Sequence, residues 1–224
     1  NWYIRTLSNS DILAWGINWG FSGGVPVPGD YDSDGRADLN VFHVATGNWY
    51  IRNMTGYVLA WGLNWGFSGC VAVPGDYDGD GQSDLAVFHP ASGNWYIRTL
   101  GGTVLAWGIN WSFGTGVAVP GDYDGDGMSD LAFYASNSGN WYIRTIGGQS
   151  LLYGINWGFG GCTPLSGDYD GDGVNDLAVY YQPQGWWYVY SRVGRAAGEA
   201  VRLARAISVA EAKQDNIRTL MHNI

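Results

Sequence analysis

The stretch GDYDGDGQSDLAVFH fills residues 75–89 and joins two unlike halves. The first half sets Asp76, Asp78, Asp80 and Asp84 among glycines, and the second is an apolar run. GDYDGDG returns at residues 121–127 and 167–173, and GDYDSDG stands at 29–35. Like charges this close repel, and burying one unpaired is costly. Such a loop is either a solvated acidic turn or a cradle for a cation.

Counted from Asp76, the acids fall at positions one, three, five and nine, with Gly81 at position six. Calcium loops place oxygen ligands at this spacing and a glycine at that sharp turn. The four sets are Asp30, Asp32, Asp34, Asp38; Asp76, Asp78, Asp80, Asp84; Asp122, Asp124, Asp126, Asp130; and Asp168, Asp170, Asp172, Asp176. Position seven varies (Arg36, Gln82, Met128, Val174), so only its backbone carbonyl is a common donor. Hard oxygen donors select Ca²⁺ or Mg²⁺ over zinc, and a flexible loop favours Ca²⁺. About four calcium ions per chain are expected. A helical EF-hand does not fit: position twelve is Val41, Val87, Phe133 or Val179, never Glu, and β pattern flanks each loop.

The first aspartates of the four loops are each 46 residues apart, and NWYIR begins at Asn1, Asn48, Asn94 and Asn140, with GWWYVY from Gly185 as a degenerate fifth copy. A fixed period of this length marks a repeat architecture. Each unit reads as four short strands, in the second unit VAV (71–73), DLAVFH (84–89), NWYIRTL (94–100) and VLAWGI (104–109). Four antiparallel strands per repeat describe a propeller blade. A β-sandwich would not need near-identical units, and solenoid rungs are shorter. The N-terminal pair of strands is a candidate to complete the last blade and give four. A larger ring completed by other sequence is the alternative, and blade number stays open.

Of the chain's 20 acids, 16 lie in the four loops, and the net charge is −9. That excess disfavours nucleic acid as a partner. No apolar run reaches the length of a membrane helix. No signal peptide is visible, and with Asn at residue 1 an upstream segment is compatible with the sequence. Residues 1–190 are read as the repeat domain. Residues 191–224 are Ala- and Arg-rich and are read as a helical tail, with Ser208 and Glu211 as a capping box. The tail either packs on its own propeller, mediates homo-oligomerisation or partner binding, or is an appended extension.

No catalytic constellation stands out. His43 and His89 share a strand-end position filled by Ala135 and Tyr181 in the next units. Trp15, Trp61 and Trp107 alternate with Leu and Ile and read as core. Trp19, Trp65, Trp111 and Trp157 read as inter-blade wedges or, with Asn18, Asn64, Asn110 and Asn156, as sugar sites. Arg5, Arg52, Arg98 and Arg144 are expected over Trp or Tyr faces or against loop carboxylates. Cys70 and Cys162 lie two periods apart: a small, four-bladed ring would place them to meet as a disulfide, and a ring of seven or eight blades would leave each a small buried thiol.

The run GDYDGDGxSDLAVF, with WGFSG before it, resembles the FG-GAP and VCBS calcium-binding repeats of extracellular bacterial proteins and integrin α-chain propellers. The resemblance covers about residues 1–190. It implies an all-β propeller with calcium between the first two strands of a blade, and a secreted or cell-surface location. It further implies an adhesive, recognition or scaffolding role toward an extracellular protein or glycan. A multivalent lectin and an accessory domain of a larger secreted hydrolase are the alternatives.

Overall fold

The computed structural model describes residues 1–7, 10–191 and 207–208. The chain divides into two compact units, Asn1–Ile109 and Asn110–Ile224. The first unit opens with the two-stranded sheet β1 (Trp2–Arg5) and β2 (Ile12–Ile17). One four-stranded sheet follows, from β3 (Gly24–Pro26), β4 (Leu39–His43), β5 (Asn48–Arg52) and β6 (Val58–Asn64). A second is made of β7 (Val71–Ala72), β8 (Leu85–His89), β9 (Asn94–Arg98) and β10 (Val104–Asn110). The second unit holds β11 (Gly116–Ala118), β12 (Leu131–Ala135), β13 (Asn140–Arg144) and β14 (Ser150–Asn156). Its other sheet is β15 (Thr163–Leu165), β16 (Leu177–Tyr181), β17 (Trp186–Tyr190) and β18 (Ile207–Ser208). The described residues are thus all-β, with four antiparallel four-stranded blades of the propeller type.

Burial within a blade follows strand order. The second strand is buried on both faces: in β8, Leu85, Ala86, Val87 and Phe88 are all core. The third strand alternates, with Trp95 and Ile97 fully buried and Tyr96 and Arg98 turned to the other face. In the first unit one core joins two blades, packing Trp49, Ile51 and Trp65 against Leu85 and Val87. The second unit repeats this with Trp141, Ile143 and Leu177. Turn glycines make the tight packing possible. Gly47 adopts φ +74°, and a Cβ there would lie 2.2 Å from the Gly66 carbonyl carbon, so a side chain has no room.

The fourth strand departs from its expected face. Trp15, Trp61 and Trp107 are not core: they are 77%, 73% and 73% exposed, and their counterpart Tyr153 is 66% exposed. The buried residue in this strand is the alanine one place earlier, Ala14, Ala60 or Ala106. Period-two alternation then sends the tryptophan outward. The inward position is the one opposite the buried isoleucine of the third strand: Ala60 pairs with Ile51, and in the third blade Leu152 takes that place opposite Ile143 and packs on the core.

Three further expectations change. Cys70 and Cys162 are free and buried, each within the core of its own unit, so the buried-thiol alternative holds and not the disulfide. The N-terminal pair forms its own sheet and does not complete the last blade, whose fourth strand is β18. Ile207 and Ser208, expected in a helix, pair with Trp187 and Trp186 of β17. A strand edge left unpaired by β17 offers backbone groups that an extended segment satisfies. The remainder of the expected helical tail, and any oligomer contact through it, lies outside the described residues.

Candidate cation-binding loops

Each acidic loop lies between the first and second strands of a blade; a bridge such as Gly75–Asp84 closes the first three at the base, and an N–H bond from Asp176 to the Gly167 carbonyl at 2.8 Å closes the fourth. The turn builds itself from its own acids. In the second loop the Asp76 carboxylate accepts N–H bonds from Gly79 (2.7 Å) and Gly81 (2.8 Å). Asp80 accepts from the backbone of Gln82 at 2.8 Å, and Asp84 from the backbone of Tyr77 at 2.8 Å. The Tyr77 ring is fully buried, and its hydroxyl donates to the Val73 carbonyl at 2.7 Å. Tyrosine at position two therefore pins the loop to the blade. Tyr31 and Tyr123 do the same in the first and third loops, whereas Tyr169 in the fourth is 45% exposed.

Three of the four acids of each loop converge. Asp30, Asp32 and Asp38 bring one carboxylate oxygen each to within 4.8 Å of one another. So do Asp76, Asp78 and Asp84; Asp122, Asp124 and Asp130; and Asp168, Asp170 and Asp176. The fifth-position acids are not in these clusters. Asp34, Asp80, Asp126 and Asp172 each accept the backbone N–H of position seven, from Arg36, Gln82, Met128 and Val174 at 2.8–2.9 Å.

The electrostatics of the clusters is unfavourable as they stand. Asp38, Asp84, Asp130 and Asp176 are buried. Burial, chiefly, pushes the Asp38 carboxyl up to about 6 and those of Asp84 and Asp130 up to about 7. The tyrosine N–H opposes that shift, and the neighbouring acids add to it. In the first loop Asp38 Oδ1 and Asp32 Oδ1 are both buried without a hydrogen-bond partner. Orphaned buried acceptors are rare in folded proteins. Two of them in one carboxylate cluster match the chemistry of a hard divalent cation, which would satisfy the lone pairs and hold the acids ionised. The four clusters can each coordinate one such ion.

Sequence reasoning missed how the loops are supported. Asn53, just after β5, donates to Asp32 at 2.9 Å, and Ser191, just after β17, donates to Asp170. Neighbouring loops are also joined within each unit. The Ser83 N–H donates to the Asp30 carbonyl at 2.5 Å, and the Asn175 N–H to the Asp122 carbonyl at 2.6 Å. The fixed period was the signal that corresponding positions would meet, but backbone bonds leave no trace in residue identity.

The other singled-out residues have structural places. The indole N–H groups of Trp19, Trp65, Trp111 and Trp157 each donate to a backbone carbonyl 31 residues on, at 3.1–3.2 Å. Arg52, Arg98 and Arg144 lie over Trp19, Trp65 and Trp111 at 5.5–5.6 Å, as expected for cation–π pairs. Arg5 instead bonds Ser10. Asn64 and Asn156 are engaged in tying turns together, bonding Asn48 and Asn140. His43 and His89 each bond a turn hydroxyl, from Thr46 and Ser92, at 2.8 Å.

Residues 76–133 match the family of FG-GAP-like repeats. No curated protein matches the chain. Among solved structures, a protein of unknown function from Bacteroides caccae is similar with a TM-score of 0.55 at 13% identity, over 93% of this chain and 69% of that one. A lectin of Agrocybe aegerita, described in its specific recognition of non-reducing terminal N-acetylglucosamine, is similar with a TM-score of 0.58 at 16% identity. This chain is covered over 94% of its length and spans 62% of the lectin's. At these identities the likeness is one of fold alone; the match to FG-GAP-like repeats covers residues 76–133.

Proposed function

We propose that the chain is a calcium-binding, non-catalytic recognition module that works outside the cytoplasm, secreted or at a cell surface. The buried, partnerless oxygens of Asp32 and Asp38 carry the calcium reading. In each loop the acids at positions one, three and nine are the direct ligands: Asp30, Asp32 and Asp38, and their counterparts. The fifth-position acid keeps one oxygen on the turn and offers the other. The position-seven residue contributes its carbonyl. The ion supplies charge compensation and crosslinks the two ends of the loop. A role in recognition is supported by the likeness of the acidic repeats to extracellular FG-GAP repeats. Among the described residues no helix is long and apolar enough to cross a membrane.

Calorimetric titration of chelator-treated protein tests the cation reading. About four calcium ions per chain are expected, with magnesium binding more weakly. No heat and no uptake in equilibrium dialysis would overturn it.

A glycan is the second reading for the partner. It is favoured by the fold shared with the N-acetylglucosamine-recognising lectin. A glycan array probed with and without calcium separates it from a protein partner.

A further inference from the structure

We infer that the outward rings of Trp61, Trp107 and Tyr153 form three equivalent stacking platforms for neutral pyranose sugars, an inference that rests on the glycan reading of the recognition module. Large aromatic surface left in water forgoes the burial that ordinarily stabilises a fold. Here it is left out at one register in successive repeats, with Trp61 and Trp107 73% exposed and Tyr153 66% exposed.

Each ring is braced by aromatic neighbours standing edge-on, two for Trp61 and Trp107 and three for Tyr153, which also meets Phe113 at 5.3 Å and 82°. Trp61 meets Tyr50 at 5.5 Å and 90°, and Trp19 at 5.6 Å and 65°. Trp107 meets Tyr96 at 5.4 Å and 82°, and Trp65 at 5.6 Å and 61°. Tyr153 meets Tyr142 at 5.3 Å and 89°, and Trp111 at 6.3 Å and 64°. A ring already held this way loses little freedom when a ligand stacks on it. Trp15 has Tyr3 beside it but no wedge tryptophan from an earlier repeat among the described residues, so its platform is incomplete.

The residue after each ring is a glycine in the left-handed region, Gly62 at φ +69°, Gly108 at +70° and Gly154 at +69°. It makes a bulge that sets the ring beside the tyrosine of the third strand. Hydroxyl and amide groups sit at that bulge. A Cβ on Gly62 would lie 3.7 Å from the Tyr50 hydroxyl, and one on Gly154 3.7 Å from that of Tyr142. A Cβ on Gly108 would lie 4.0 Å from the Tyr96 hydroxyl and 3.9 Å from the Asn94 amide nitrogen.

A flat aromatic face with hydrogen-bonding groups at its edge suits a pyranose, which has an apolar C–H face and equatorial hydroxyls. The rings recur at one register in successive repeats, each followed by a glycine, so the same small aromatic surface is offered again and again. The net charge of −9 disfavours an anionic membrane or nucleic acid. Several weak sites on one chain suit a polymer of repeated sugars, because linked sites gain by avidity.

The test uses the full chain in calcium on a printed array of neutral and acidic glycans, with Trp61→Ala, Trp107→Ala and the triple variant Trp61→Ala/Trp107→Ala/Tyr153→Ala. The wild type is expected to bind neutral glycans. Each single variant should lose about tenfold or more in apparent affinity through lost avidity, and the triple variant should lose binding. The calcium-dependent melt should be unchanged in all three, since the rings are exposed. Undiminished binding by a triple variant that melts normally overturns the platforms while leaving the glycan reading in place. A wild type that binds calcium but no glycan overturns both. Loss of self-association in the triple variant without any glycan binding assigns the rings to an interface between copies and likewise overturns the proposal.

Discussion

At position nine a single carboxylate does two jobs. Asp84 is 1% exposed, accepts the Tyr77 N–H with one oxygen, and belongs to the cation cluster. Asn at this position keeps the first job and loses most of the second. Asp84→Asn is expected to lower calcium stoichiometry by one and to raise the melting temperature in chelator slightly, because a buried like charge is removed. Unchanged stoichiometry in a calorimetric titration would contradict the ligand role. Titration has a definite sign here. Asp38, Asp84 and Asp130 have folded values of about 6, 7 and 7, above the ordinary carboxylate range. The cation-free fold therefore binds protons more tightly than the unfolded chain. That stabilisation is complete below the unfolded value near 4 and is lost as pH rises through about 6 to 7. The melt in chelator should fall between pH 5 and pH 8. With calcium present, protons compete for the same oxygens, so the gain from calcium should grow over that interval. A melt that falls with pH in chelator and stays nearly level in saturating calcium is the expected signature. The convergence of the acids was legible because positions one, three and nine of such a turn face its centre. The outward turn of Trp61 was not, since alternation fixes two faces but not which of them the core takes.

Among the elements, loops were easier to place than edges. The continuous apolar run of β8 and the alternation of β9 gave their burial directly, because both faces of one and one face of the other meet core. The partner of β17 was not readable: a strand edge accepts any extended backbone, and the Ala- and Arg-rich residues around Ile207 carry helix-like composition. The bond between successive loops has a thermodynamic consequence. Ser83 belongs to the second loop, yet its N–H holds the carbonyl of Asp30, the first acid of the first loop. Ordering one loop around its ion lowers the entropy cost of ordering the other, so the two sites should bind with positive coupling. Ser83→Pro removes that donor without touching any acid. Calcium affinity at the first loop is expected to fall along with that of the second, whereas the third and fourth loops, in the other unit, keep theirs. A titration in which only one site weakens would show that the loops act independently.

For the whole molecule, repetition is both the most legible feature and the limit of legibility. Near-identical units forecast blades, and four four-stranded blades are present. They could not forecast how the ends are used, because one NWYIR copy is as good a partner as another until packing chooses. The cysteines illustrate this. Symmetry placed them as a pair, but each lies among the aromatic residues of its own core. Denaturation without reductant should expose two thiols to alkylation, read as two mass increments. Stability follows the same local logic. Each loop closes its blade between the first two strands, and its acids repel one another without a cation. An ion that binds only the folded loop stabilises by mass action, by about 2.7 kcal/mol per site at a hundredfold excess over Kd. With four clusters spread over both units, the effect should reach the whole fold and not one corner of it. A melt in millimolar calcium is expected well above one in excess EDTA, with the shift reversed by adding calcium back. Removing one cluster through Asp78→Ala should take away only a part of that shift, because repeat stability is mainly nearest-neighbour. A melting temperature indifferent to EDTA would mean that the loops are solvated acidic turns, and that the orphaned oxygens of Asp32 and Asp38 are satisfied by water instead of an ion.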